Sequence, residues 1–193
     1  MSAAVGMAEP PRLRGDLAIW LVIGAELLTF GLMFLAFAFA RSRDVALFDA
    51  GQAQLDLHGG AVNTVLLIAG SWCVAHAVDA LRRGRRGAAG RWLAGSLAAA
   101  AGFLVLKGHE FAVKSAAGFD LETDTFWMFY WLLTGFHFLH VAAAAVLLGL
   151  VARRLGQGAY GPGDVHAPET VAAFWHMVDL LWIVLFPLVY VMR

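Results

Sequence analysis

Five long apolar stretches, residues 17–40, 61–81, 92–113, 126–152 and 171–192, alternate with short segments in which charge, glycine and proline collect. Each stretch reaches the roughly 20 residues a helix needs to cross a hydrocarbon core of about 30 Å. Leu, Ala, Val and Phe follow one another without period-two alternation, which excludes the in–out pattern of a lipid-facing barrel. Backbone N–H and C=O groups deprived of water must bond within their own segment, and a helix does this. The sequence therefore predicts an all-α integral membrane bundle of five transmembrane helices. It forms one domain over residues 17–193, preceded by a tail over residues 1–16, with no linker or internal repeat dividing it.

The connections add detail. Residues 41–60 mix Val45, Leu47, Phe48, Leu55 and Leu57 with acids, predicting a piece that lies along the membrane interface. The Arg/Gly segment from Arg82 to Arg91 is short enough to force the second and third helices into an antiparallel hairpin. Phe126, Trp127, Phe129, Tyr130 and Trp131 open the fourth helix, where a belt of rings at headgroup level is expected, and Trp92 opens the third. Gly95, Ala99 and Gly102, and the run Ala142 to Ala145, mark places where helix backbones can approach closely.

Composition agrees with a membrane location. The chain is 61% hydrophobic and 15% charged, against about a quarter charged in a soluble domain. Net charge is zero, so nothing in it points to nucleic acid. Its distribution is informative: Arg12, Arg14, Arg82, Arg83, Arg85, Arg86, Arg91, Arg153 and Arg154 fall on one side, against Arg41, Arg43, Lys114 and Arg193 on the other. The positive-inside rule then puts the N-terminus in the cytoplasm and the C-terminus outside. Ala36-Phe37-Ala38 resembles a signal cleavage pattern, but the first stretch is longer than the roughly 7–15 residues of a signal core and carries Glu26, so a retained helix is expected. Cys73 is the only cysteine, which leaves no intrachain disulfide and no cysteine-based metal centre; it reads as a small packing residue.

Ionisable and polar side chains inside the spans carry the candidate chemistry: Glu26, Asn63, His76, Asp79, Lys107, His109, Glu110, Thr134, His137, His140, His176 and Asp179. Such groups at membrane depth are costly unless protonated, paired or turned into protein, and together they predict a buried polar seam. His76 with Asp79, His137 with His140, and His176 with Asp179 repeat one spacing that presents both members on one side of a helix. Lys107, near the outer end of its helix, is expected to snorkel or to pair with Glu110. Three chemistries fit the spacing: interhelical hydrogen bonds that fix the packing of a structural protein, a proton relay, and a haem or metal site built from paired histidines. The last lacks a carboxylate-rich cluster at one depth.

Two segments carry a resemblance. Thr134-Gly135-Phe136-His137-Phe138-Leu139-His140-Val141 and Trp175-His176-Met177-Val178-Asp179-Leu180-Leu181-Trp182 are similar to the T-G-F-H-x-x-H-V and W-H-x-V-D-x-x-W signatures of the cytochrome c oxidase subunit III family. Glu26 in Gly24-Ala25-Glu26-Leu27 matches the family's buried, carbodiimide-reactive carboxyl. Asn63-Thr64 and His76 match its next helix, Glu110-Phe111 its Glu-aromatic pair, and Glu169 an acid leading into the last helix. The resemblance runs from Gly15 onward. The long form of the family has seven helices, so the two-helix arm that helps to form its lipid-holding cleft has no counterpart here. The five-helix form and the Lys107-Gly108-His109-Glu110 segment are most similar to NorE-type proteins associated with nitric oxide reductase.

The resemblance implies a noncatalytic accessory subunit of a haem–copper respiratory complex, of nitric oxide reductase or cytochrome oxidase type, multi-pass in the bacterial inner membrane. Such a subunit packs on a haem-bearing catalytic subunit, contacts phospholipid, and supports assembly and stable turnover. No cofactor is expected in this chain; haem and metal belong to partner subunits. Glu26, Asn63, Thr64, His76, Glu110, Thr134, His137, His140, Glu169, His176 and Asp179 are then expected in a structural hydrogen-bond network with lipid contact, not in catalysis. The rival functions are a small transporter or proton channel using Glu26 and the histidines, and a b-type membrane cytochrome.

Overall fold

The computed structural model describes residues 17–161 and 163–192. The tail over residues 1–16, with Arg12 and Arg14, and Arg193 lie outside the described residues. Six α-helices follow one another: α1 (Leu17–Arg43), α2 (Val45–Gln52), α3 (Leu57–Arg82), α4 (Arg86–Ala116), α5 (Thr125–Gly156) and α6 (His166–Phe186). A π-helical turn, Pro187–Val191, closes the chain. α1, α3, α4, α5, and α6 with its closing turn are each long and apolar enough to cross a membrane. They overrun the predicted spans at most ends, because charged and small flanking residues extend the helices beyond their apolar centres. α4, with 31 residues, is about 46 Å long at 1.5 Å per residue.

Local chemistry sets the helix ends. Asp44, Asp56 and Asp124 stand just before α2, α3 and α5, and their carboxylates accept the backbone N–H of Leu47, His58 and Trp127. Each satisfies a first-turn donor that would otherwise be orphaned. α3 stops in a paired motif: Gly84 N–H donates to the Leu81 carbonyl and Arg85 N–H to the Ala80 carbonyl. Gly84 takes a φ of 69° there, a conformation glycine adopts without a Cβ penalty. The chain reverses at once, so α3 and α4 form the expected antiparallel hairpin.

The backbones of that hairpin come close. A Cβ at Gly70 would lie 2.9 Å from the Trp175 ring and 3.3 Å from Ala99, and one at Gly95 would lie 3.2 Å from the Cys73 sulfur. α6 occupies the middle and touches α1, α3 and α5. α1 is the peripheral helix: only Ile23, Phe30 and Phe37 are buried, one every seven residues, while Leu21, Leu28 and Leu35 stay exposed. That is a narrow coiled-coil-like seam.

Two expectations need correction. A helix does form in the segment over residues 41–60, as α2, but Phe48 is wholly buried, edge-on to Phe37 at 5.1 Å and to Phe126 at 5.7 Å. α2 is thus a cover over one end of the bundle. Beneath it, the rings expected as an interfacial belt are core: Phe126, Trp127, Phe129 and Tyr130 are buried, and Trp127 stacks on Phe119 at 4.3 Å. The cover supplied by α2 and the connection before α5 explains why these rings face inward and not toward headgroups.

Candidate functional site

The polar residues fall into separate clusters. At the end of the bundle that α2 covers, α4 places Lys107 and Glu110 on one face. Lys107 is fully buried, with Nζ 3.1 Å from Glu110 Oε1. Its ammonium donates to the hydroxyl of Tyr130 at 3.2 Å and to that of Tyr190. Both hydroxyls in turn donate to Glu110 Oε1, at 2.7 and 2.8 Å. The rings of Phe111, Tyr130, Trp182 and Tyr190 lie 4.7–5.9 Å from Nζ, within cation–π range. The ion pair is neutral overall and its hydrogen bonds tie α4, α5 and the closing turn together. Lys107 pairs and does not snorkel. Sequence reasoning missed Tyr130 and Tyr190; a tyrosine at matching depth on another span was the available signal.

Glu26 and His140 meet at the α1–α5 contact. Glu26 Oε2 lies 3.2 Å from His140 Nε2, within ion-pair reach but not aligned as a hydrogen bond. His140 Nδ1 is 2.8 Å from the Phe136 carbonyl, so Nδ1 carries a proton and Nε2 is the atom offered to the carboxyl. Phe30 and Phe136 flank the imidazole at 5.5 and 4.6 Å. The Glu26 side chain is 26% exposed, so this pair stands at the edge of the bundle.

His137, one turn from His140, faces elsewhere. Three residues turn a helix by 300°, leaving the two side chains about 60° apart, enough to send them to different neighbours. His137 is wholly buried between Phe103 at 5.7 Å and Trp182 at 5.0 Å, and neither ring nitrogen has a hydrogen-bond partner among the described residues. Trp182 Nε1 donates to Thr64 at 2.9 Å. Thr64 and Thr134 return their protons to their own helices, at Gly60 and Tyr130. Asn63 is buried nearby in sequence with its Oδ1 unpartnered.

The other two pairs also divide. Asp179 is buried, but His176 is exposed on the outside of the bundle, its Nδ1 2.6 Å from Ser71 Oγ. That corrects the expectation of an interior His176. His76 packs between Trp72 at 4.4 Å and Trp92 at 5.0 Å, while Asp79 pairs with Arg83 at 3.0 Å. Glu169 is held by Arg82 through Nε and Nη2, at 2.9 and 2.7 Å, and joins the start of α6 to the end of α3. His109 is exposed. Among the described residues no three His, Cys, Asp or Glu side chains converge as metal ligands do.

The two histidine motifs thus lie on adjacent packed helices, α5 and α6, and a family model for cytochrome c oxidase subunit III matches residues 15–193. The chain belongs to the cytochrome c oxidase subunit III family. It is 27% identical over 175 residues to a probable cytochrome c oxidase subunit 3 of Mycobacterium bovis, covering 91% of this chain and 85% of the relative. To cytochrome c oxidase subunit 3 of Synechocystis sp. it is 32% identical over 173 residues, covering 89% and 73%. It is also 28% identical over 179 residues to a heme-copper oxidase subunit I+III of Aeropyrum pernix, covering 90% of this chain and 22% of that longer one. Subunit III family membership and five membrane-length helices fit one another.

Proposed function

We propose that this chain is a noncatalytic accessory subunit of a haem–copper respiratory complex, packed laterally on the haem-bearing catalytic subunit and supporting its assembly, lipid environment and stable turnover. The observation that carries this reading is how the titratable groups are used. Lys107, Glu110, Tyr130 and Tyr190 bond to one another, and Glu26 faces His140. These contacts join α4 to α5 and the closing turn, and α1 to α5, as the hydrogen bonds of a structural bundle do. The Aeropyrum pernix relative, named for subunits I and III together, supports the catalytic subunit as the neighbour.

The Arg-rich end, with Arg82, Arg83, Arg85, Arg86, Arg91, Arg153 and Arg154, supports a cytoplasmic placement of that end in a bacterial inner membrane. The Lys107–Glu110 segment favours a nitric oxide reductase core, as in NorE-type proteins; the oxidase subunits among the relatives favour an oxygen-reducing one. The chain produced without partners will purify with no Soret band. A band at one haem per chain would overturn the reading in favour of a b-type cytochrome. The Glu26–His140 contact favours one rival, a proton channel. Acid-driven flux into liposomes containing the chain, abolished by Glu26→Gln, would establish that rival.

A further inference from the structure

α6 is packed on three sides by α1, α3 and α5, and among the described residues no helix packs on its fourth side. α1 and α3 stand either side of that face and leave a groove of about 500 Å³. Ile23 and Leu27 form one wall, Ala75 and Val78 the other, and Ala173 and His176 part of the floor. The Arg82–Glu169 pair lines one end of the groove; His176 follows about 10 Å further along α6. Beyond it Leu180, Ile183 and Val184 remain exposed, continuing the stripe at the i, i+4, i+7, i+8 spacing by which a helix presents one face.

His176 is out of place on a lipid-facing surface. Its Nδ1 is engaged by Ser71, which leaves Nε2 without a hydrogen-bond partner among the described residues, and a polar group left in hydrocarbon is costly. A phospholipid leaves His176 unmatched, because its acyl chain has nothing to offer an imidazole; Arg82, at one end of the groove, is already held twice by Glu169. A transmembrane helix can place a hydroxyl, amide or carboxyl at any depth among apolar neighbours. The exposed side of α5 is a contrast: Leu132, Leu139 and Val146 are purely apolar, as a lipid-facing stripe is.

We propose that this groove is the docking surface for one transmembrane helix of the catalytic subunit, which hydrogen-bonds His176 Nε2 from among otherwise apolar side chains. The inference rests on the accessory-subunit reading and names the face through which that reading acts. A photoreactive benzoylphenylalanine is placed at Leu180 or Ile183 in the stripe and, separately, at Leu139 or Val146 on α5, in native membranes that contain the partner. After irradiation the tagged chain is purified and its adducts identified. The expected result is an adduct with the haem-bearing subunit from the α6 positions and none from α5. Adducts from α5 alone, or only phospholipid adducts from α6 while the haem subunit co-purifies, overturn the docking face and leave the accessory role standing. Failure of any haem subunit to co-purify, even before irradiation, overturns both. Independently, His176→Gln keeps the haem-to-chain ratio within twofold after detergent purification and His176→Leu lowers it at least fivefold; equal ratios for the two contradict the proposal.

Discussion

Lys107 shows what a single charge does in this bundle. It remains in the interior because Glu110 and two tyrosine hydroxyls surround it, and breaking a buried pair from one side typically costs about 3–5 kcal/mol. Lys107→Met should therefore destabilise the detergent-solubilised protein by that order, read as a lowered midpoint of thermal or denaturant unfolding. Adding Glu110→Gln should restore part of the loss; strictly additive losses would show that the two are not coupled. Glu26→Gln should preserve yield and monodispersity because the amide can donate to Nε2, whereas Glu26→Ala leaves that nitrogen unmatched and should lower yield. Equal yields would contradict the pair. Helical spacing made the Lys107–Glu110 pairing legible in the sequence. Tyr190 was not legible, because only the packing of the closing turn against α4 brings it 83 positions back to Lys107.

Helix packing is exacting where α3 meets α4 and α6. Gly70 faces Trp175 and Ala99 at distances that leave no room for a side chain, while a Cβ at Gly24 on α1 meets nothing within 4 Å. Gly70→Val should reduce the folded yield severalfold and Gly24→Ala should leave it unchanged, as seen by size-exclusion of the solubilised chain; the reverse order would refute the packing. The small residues of α4 forecast the close hairpin correctly, since only backbone proximity requires them. The i, i+3 histidine pairs misled, because a 60° offset is enough to send His137 inward while His140 meets α1, and Asp179 inward while His176 faces out. The aromatic run at the start of α5 misled as well, since nothing in its composition announces that α2 covers it.

Across the whole molecule, hydropathy sufficed to place five spans, and the Arg-rich turns grouped the connections at two ends. What the linear pattern did not contain was the division of one expected seam into distinct clusters, which depends on how α6 sits among α1, α3 and α5. The account that results is of a bundle whose polar side chains join its own helices, with the groove along α6 proposed as its docking face. Its most direct test is the haem content of the tagged chain purified from its native membranes, compared with that of the chain produced alone. The account predicts a stoichiometric haem-bearing catalytic subunit in the first preparation and none of its haem in the second. Equal haem in both, or a chain that leaves native membranes without any haem protein attached, would contradict it.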